Sequence, residues 1–213
     1  MTADSANVDY RPRIYIVGGP GSGKSTLGKR LARRYGIPDI GLDEIALSEG
    51  HDKTFRPCRP IASRIESLRA ATSSETGWLI EGSFLWWTEE FMEQADVLVW
   101  LDISRWLAAW RVASRHVRDY VSDILRAHGF SGRLRAARYP HVAFICRFMI
   151  YTWRYYSAGE PTGRPVDADD LSRASTALAL DRFQGKLIRL GSTSHTTAIT
   201  SKLNGAVVYE HSK

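Results

Sequence analysis

Cysteine is scarce in this 213-residue chain, and long hydrophobic runs are absent from it. Its two cysteines, Cys58 and Cys146, are too few for a disulfide framework and lack metal-site spacing, so we expect two reduced, buried thiols. No stretch of about 18 apolar residues is present, and residues 1–12 contain no apolar run typical of a signal peptide. These absences argue against secretion and membrane spanning, and they predict a cytoplasmic protein with no membrane partner.

The composition is that of a globular protein with an uneven charge. Hydrophobic residues make up 44% of the chain, and its length suits one domain at roughly 150 residues per domain. The net charge is +6, but residues 104–156 alone hold ten arginines against Asp119 and Asp123. A local positive field attracts nucleotide phosphates, phosphorylated metabolites or a nucleic-acid backbone, and charge alone does not distinguish them.

Short apolar runs alternate with helical patterns along the chain. This alternation predicts an α/β fold in which helices cover both faces of a parallel sheet, with ligands bound beyond the carboxyl ends of the strands. No internal repeat and no linker divides the chain. Strands are predicted at 13–17, 38–42, 78–80, 97–101 and 186–190, helices at 24–35, 61–71, 104–128 and 141–156, and Gly-containing loops at 129–140 and 159–170.

The run from Gly18 to Ser25 fits the pattern G-x-x-x-x-G-K-[ST] of a Walker A phosphate-binding loop. It lies between a predicted strand and a predicted helix, which is the context that the motif requires. Glycines let consecutive N–H groups converge on one point, and the helix presents its positive end to phosphates. The motif predicts ATP and Mg²⁺ as cofactors, with Lys24 on the phosphates and Ser25 on the metal. The expected nucleotide-binding residues are Gly18, Gly19, Pro20, Gly21, Ser22, Gly23, Lys24, Ser25 and Thr26.

A compact kinase fits this loop better than a GTPase does. The chain has two asparagines, Asn7 and Asn204, and neither is followed by the lysine of a guanine-recognition motif. The loop GGPGSGKST resembles that of adenylate kinases and other nucleoside-monophosphate kinases. Residues 13–190 are similar to the small kinase-like proteins called DNA topology modulation proteins. The matching segments are GLDE (41–44), WLIEG (78–82), ADVLVWLD (95–102), RWL (105–107), Trp110-Arg111 and the aromatic run 148–156.

The resemblance implies a five-stranded P-loop three-layer fold with strand order 2-3-1-4-5 and a helical lid insertion at about 129–165. We expect a kinase domain over 13–204, between a disordered N-terminus (1–12) and a loose tail (205–213). In that order Glu81 ends the strand beside the phosphate loop, so it is the better candidate for the acidic group behind Mg²⁺, although many relatives have Asp-Gly there. Asp102 is the rival, and either carboxylate could instead bond nearby backbone.

Arg111, Arg115 and Arg118 are spaced i, i+4, i+7 and therefore lie on one helix face. Guanidinium groups that converge on the cleft would hold the transferring phosphoryl group, whereas a solvated face would pair with nearby aspartates. The resemblance implies that Arg111 lies on the adenine side, near 191–193, and Arg115 on the phosphates. It also implies a closing lid to which Arg154 and Arg164 belong. A separate apolar face is suggested by Trp106, Trp110, Val117, Val121 and Ile124.

The acceptor site is indicated by Asp43, which follows the second predicted strand, where related small-molecule kinases present a carboxylate. A hydroxyl acceptor benefits from a carboxylate that orients it and takes its proton. A phosphate acceptor needs cationic clamps instead, and it is favoured by arginines in the segment that binds the acceptor phosphate in nucleotide kinases; they are Arg56, Arg59 and Arg64. The arginine that adenylate kinases carry soon after the Asp-Gly pair is missing, since Glu81-Gly82 continues as Ser83-Phe84-Leu85-Trp86-Trp87. Trp86 and Trp87 either wall an acceptor pocket or form a half-buried aromatic pair.

These features predict a kinase that transfers the γ-phosphate of ATP to a nucleoside, a nucleotide or a small hydroxylated metabolite. Lys24, Arg111, Arg115 and Asp43 are the expected catalytic residues, and Ser25 and Glu81 the expected metal ligands. The alternative is a nucleotide-responsive regulatory protein that binds nucleic acid through its arginine-rich segment.

Overall fold

One parallel sheet of five strands organises the molecule, in the order β2-β3-β1-β4-β5. The structure is a computed structural model that describes residues 11–48, 58–73, 77–126, 140–157, 171–191 and 199. In chain order its elements are β1 (Ile14–Gly18), α1 (Lys24–Tyr35), β2 (Asp39–Gly41), α2 (Leu42–Ala46), α3 (Ile61–Thr72), β3 (Leu79–Gly82), α4 (Glu89–Gln94), β4 (Val97–Leu101), α5 (Arg105–Arg126), α6 (Pro140–Ser157), α7 (Arg173–Leu180), a 3₁₀ turn (Asp181–Phe183) and β5 (Leu187–Leu190).

The predicted α/β fold and the predicted strand order are confirmed. β1 is central and wholly buried, which is why its sequence is continuously apolar rather than alternating. Its last residues pair with the ends of both neighbours, Val17 with Gly82 of β3 and Gly18 with Leu101 of β4. The glycine-rich loop therefore leaves the sheet beside Glu81 and Asp102, at the carboxyl edge where ligands of such sheets bind.

Side chains from opposite faces of β1 supply two cores. Tyr15 and Val17 face one cluster, which includes Leu68 of α3 and Phe91 of α4. Ile14 and Ile16 face the other, with Leu27 and Leu31 of α1. Leu31 is fully buried, and burial of one such side chain stabilises the fold by about 1.5–3 kcal/mol. This two-sided packing holds α1, and with it the end of the glycine loop, against the sheet.

Several local features differ from the sequence-based expectation. The short helices α2, α4 and α7, of five, six and eight residues, were not expected, because they are too short to show a helical repeat. α7 begins at a capping box between Ser172 and Ser175. Cys58 and Cys146 are free as expected, but both are exposed, so the expectation of burial is wrong. The apolar face expected on α5 is likewise open to solvent at Trp106 and Trp110, with exposures of 66% and 70%.

The predicted loop 159–170 lies outside the described residues, as do residues 129–139 of the other predicted loop, the first ten residues and the tail 205–213. Of the expected lid at about 129–165, the structure describes the helix α6. Within the described part of the chain, none of the helices combines the length and the hydropathy needed to cross a bilayer.

Asp102 joins three elements at the carboxyl edge of the sheet. It follows β4, and its side chain is 3% exposed. Arg173 of α7 donates from Nε to Oδ1 (2.6 Å) and from Nη2 to Oδ2 (2.9 Å). Arg189 of β5 donates to Oδ2 from Nε (2.8 Å) and from Nη2, and its guanidinium lies 4.5 Å from the centre of the Trp100 ring. The carboxylate is therefore a structural link between β4, β5 and α7.

Replacing Asp102 by Asn should destabilise the protein, because the amide leaves two arginines without their charge partner. Both arginines are about half exposed, so we expect a loss of about 2 kcal/mol, below the value for a fully buried pair. Urea unfolding measures this loss. Asp181→Asn, at an exposed position in the 3₁₀ turn, is the control and should change stability by less than about 0.5 kcal/mol. Equal stabilities for wild type and Asp102→Asn would contradict the structural role.

Candidate nucleotide and phosphoryl-transfer site

The glycine loop turns tightly between β1 and α1 and ends on the N-terminus of that helix. Gly21 (φ 71°) and Gly23 (φ 97°) adopt left-handed backbone conformations, which glycine takes without strain. A Cβ at Gly21 would lie 2.6 Å from the Ala108 carbonyl oxygen, so space as well as torsion requires glycine there. The loop is therefore built as a bare backbone concavity at a helix N-terminus, an arrangement suited to anions.

Lys24 bridges the loop from its first helical position. Its Nζ donates to the carbonyl oxygens of Gly18 (2.9 Å) and Gly19 (3.1 Å). Burial lowers the pKa of the Lys24 ammonium, and Arg115 lowers it further, while the carboxylates of Glu81 and Asp43 raise it. The lysine charge thus lies in a desolvated position where an added phosphate would be a strong partner.

Ser25 and Glu81 form an oxygen pair beside Lys24. Ser25 Oγ donates to Glu81 Oε1 at 2.8 Å. Burial raises the pKa of the Glu81 carboxyl, and the Ser25 hydrogen bond and Lys24 oppose that rise. Mg²⁺ is usually held by one or two protein oxygens together with substrate phosphates and water. Ser25 and Glu81 fit that use, and among the described residues there is no cluster of three or more His, Cys, Asp or Glu side chains for a metal held by protein alone.

The rival carboxylate, Asp102, is committed elsewhere, because Arg173 and Arg189 occupy both of its oxygens. Asp43, by contrast, lies near Glu81. It is exposed in the first turn of α2, directly after β2, where Gly41 pairs with Glu81. Asp43 also raises the pKa of Glu81, as expected for two like charges at one site.

The arginines of α5 lie at different distances from the loop. Arg111 Nη1 donates to the Ser22 carbonyl oxygen at 3.0 Å, whereas the Arg115 guanidinium lies 6.0 Å from the centre of the Phe148 ring of α6. Arg118 is exposed, as is Arg154 on α6. Thr26 is exposed on α1, while Arg164 and residues 192–193 of the expected adenine region lie outside the described residues.

Three loop contacts were missed at the sequence level. Ser83 Oγ donates to the Gly18 carbonyl (2.9 Å), and Tyr156 Oη donates to the Pro20 carbonyl (3.3 Å). Tyr155 packs so closely that a Cβ at Gly19 would lie 2.2 Å from its ring. The tyrosines belong to the aromatic run 148–156, whose pattern is that of a core helix. Ser83 directly follows Glu81-Gly82, and this adjacency is a signal that could have pointed to it.

A donor-rich region at α3 is formed by Arg64, Trp86 and Trp87. Arg64 is 7% exposed; its Nε donates to the Arg59 carbonyl, and its guanidinium lies 5.8 Å from the centre of the Trp87 ring. The indole N–H groups of Trp86 and Trp87 are buried, and in the structure as described no acceptor lies within hydrogen-bond distance of either. Arg59 itself donates to Ile45 of α2 and to Ser63, and Arg56 lies outside the described residues.

Comparison with known proteins gave similarity to small kinases. The chain is 48% identical over 42 residues to the adenylate kinase of Clavibacter michiganensis subsp. michiganensis (strain NCPPB 382), a match that covers 20% of this chain and 21% of that enzyme. It is 30% identical over 120 residues to the shikimate kinase of Corynebacterium efficiens (strain DSM 44549), covering 53% of this chain and 70% of that enzyme. A solved gluconokinase from Sinorhizobium meliloti 1021 matches at 16% identity with a TM-score of 0.38, over 83% of this chain and 98% of that one. No protein-family model matches.

A Walker A loop at the carboxyl edge of a 2-3-1-4-5 sheet defines a P-loop nucleotide-binding protein. With the extended match to a shikimate kinase, the chain belongs to the P-loop small kinases, a family of ATP-dependent kinases.

Replacing Glu81 by Gln should raise the stability of the ligand-free protein. A carboxyl whose pKa is raised by folding binds its proton more tightly in the folded state, so it lowers stability as pH rises from its ordinary pKa through the raised one. The neutral amide removes this loss. We therefore expect a higher melting temperature for Glu81→Gln, by a margin that is larger at pH 8 than at pH 5.

Thermal unfolding at the two pH values measures the margin, with Glu66→Gln, an exposed carboxyl on α3, as the matched control. The control should follow the wild type at both pH values. A Glu81→Gln protein that melts below wild type at pH 8 would show that this carboxylate stabilises the fold and would contradict the prediction.

Proposed function

We propose that this protein is an ATP- and Mg²⁺-dependent phosphotransferase that phosphorylates a hydroxyl group of a small, anionic acceptor. The observation that carries the proposal is the electrostatic grouping of Lys24, Glu81 and Asp43, in which each carboxylate acts on the charge of Lys24 at the mouth of the glycine loop. A lysine for phosphates, a carboxylate for metal and a second carboxylate toward the acceptor are the parts that phosphoryl transfer to a hydroxyl requires.

The loop and its neighbours would bind the nucleotide phosphates. Lys24 exchanges its two loop carbonyls for phosphate oxygens, and the N–H groups at the start of α1 point toward the same anion. Ser25 and Glu81 are the residues that would hold Mg²⁺. When bound, Mg²⁺ would neutralise part of the negative charge of the phosphates. Arg115, close enough to act on Lys24, is proposed to stabilise negative charge on the transferring group.

Asp43 is proposed to orient the acceptor hydroxyl and to accept its proton. Its position directly after β2 places it at the same sheet edge as Glu81, and its exposure leaves it open to a ligand. A phosphate acceptor is already anionic and needs no proton acceptor, so Asp43 favours a hydroxyl. General-base assistance of this kind contributes about 10²–10⁴ to a rate.

The donor-rich region at α3 favours an acceptor that also carries an anionic group. Arg64 is buried and its guanidinium lies over the Trp87 ring, and among the described residues no carboxylate pairs with it. The indole N–H groups of Trp86 and Trp87 also lack acceptors among these residues. Buried donors without acceptors cost free energy, and a carboxylate or phosphate of the acceptor would satisfy them. A hydroxylated carboxylic acid or a phosphorylated sugar has both groups.

The test is ADP formation from ATP·Mg²⁺ over a panel of hydroxylated acids, sugar phosphates, nucleosides and nucleoside monophosphates. We expect ADP formation that depends on one acceptor with both a hydroxyl and an anionic group, and no activity in Lys24→Ala. Asp43→Asn should lower kcat by about 100-fold or more, because the general base is lost.

Glu44→Gln is the matched control, since Glu44 is the neighbouring exposed carboxylate of α2, and it should keep wild-type kcat. Equal rates for Asp43→Asn and Glu44→Gln would exclude Asp43 as the base. ATP binding without stimulation by any acceptor, together with retention on DNA at about 0.15 M salt, would favour the nucleic-acid-binding regulator instead.

A further inference from the structure

Three carbonyl oxygens of the glycine loop accept hydrogen bonds from residues outside the loop. Gly18 accepts from Ser83, Pro20 accepts from Tyr156 of α6, and Ser22 accepts from Arg111 of α5. In a trans peptide plane the C=O of one residue and the N–H of the next point in opposite directions. A donor that fixes a carbonyl on the outside therefore turns the following N–H toward the inside of the loop.

Applied to the middle of the loop, this geometry concerns the peptide that joins Pro20 to Gly21. Tyr156 Oη donates to its carbonyl at 3.3 Å, so the Gly21 N–H is directed to the opposite side, toward the phosphate site proposed above. The preceding peptide has no N–H to offer, because residue 20 is proline. Because of this proline, the loop has one backbone N–H fewer for binding phosphate. The N–H of Gly21 is therefore an important donor of the loop.

Tyr156 is well placed to keep this orientation. It is 8% exposed, and the adjacent Tyr155 ring packs edge-to-face against it, with centres 4.8 Å apart. Tyr155 in turn hydrogen-bonds Thr176 of α7 at 3.0 Å, so the pair is anchored on a second helix. Burial raises the pKa of the Tyr156 hydroxyl above its ordinary value, so it stays a protonated donor at neutral pH.

We propose that Tyr156 is a positioning residue for phosphate binding, which turns the Gly21 N–H toward the nucleotide phosphates by holding the Pro20 carbonyl. The inference rests on the nucleotide site proposed above, and it extends that site to α6, a helix far along the chain from the loop. It assigns to Tyr156 no contact with the nucleotide itself.

The test compares wild type, Tyr156→Phe and Tyr35→Phe by calorimetric titration with ATP·Mg²⁺ and, separately, with inorganic tripolyphosphate. We expect Tyr156→Phe to weaken both ligands by the same factor, roughly fivefold, as for the loss of one neutral hydrogen bond. An equal factor would show that the effect lies on the phosphates and not on the base. The melting temperature of the ligand-free protein should fall by no more than about 4 °C, the shift expected for the loss of one such bond in a protein of this length.

Tyr35→Phe is the matched control, because the Tyr35 hydroxyl is buried without a hydrogen-bond partner in the described structure, and its loss should leave both affinities unchanged. Wild-type affinities in Tyr156→Phe would overturn the positioning role, as would a loss of ligand-free stability with affinities kept. If wild type itself binds neither ligand, the proposed nucleotide site fails, and that result is distinct from failure of the Tyr156 inference alone.

Discussion

The orientation of peptide groups in the glycine loop is the constraint on which the rest of the site depends. A loop that binds phosphate through its backbone must hold its N–H groups inward without any ligand to hold them. Here the carbonyl of Gly18 is held by Ser83, directly after β3, and by Lys24 of α1, that of Pro20 is held from α6, and that of Ser22 from α5. Close packing reinforces these bonds, since side chains at Gly19 and Gly21 would collide with Tyr155 and with the α5 backbone. A preorganised loop of this kind binds without a large ordering cost.

Burial around this loop sets the electrostatics of the site. Burial disfavours the charged form of both Lys24 and Glu81, which lowers the pKa of the lysine and raises the pKa of the carboxyl. The attraction between the two charges opposes both shifts. Such a pair contributes little to stability, because desolvation offsets attraction. The two charges would instead serve ligand binding. Lys24 would pair with the phosphates and Glu81 with a divalent cation, and both attractions are strong in a site of low dielectric. Asp102 has the opposite role: two arginines neutralise it, and it stabilises the sheet edge.

Much of this arrangement could be predicted from local sequence. The buried strand, the glycine run and the following helix are adjacent in the chain. The structural context that the motif requires can therefore be recognised in the sequence itself. The strand order followed from resemblance, and the structure confirms it. Contacts across long sequence separations were not predictable, because Tyr156, 136 residues away from Pro20, belongs to a run whose pattern is that of a core helix. The two arginines that bind Asp102 were missed for the same reason. The exposed apolar residues of α5 show that helical periodicity identifies an apolar face but not whether that face is buried.

The central claim is that the glycine loop binds the phosphates of ATP through Lys24. The most direct measurement is the shift in melting temperature that ATP·Mg²⁺ produces in wild type and in Lys24→Ala. At a ligand concentration about 100 times its dissociation constant, wild type should gain roughly 2.7 kcal/mol, a clear upward shift, and Lys24→Ala should gain none. Equal shifts in the two proteins would contradict the assignment of the phosphate site to this loop.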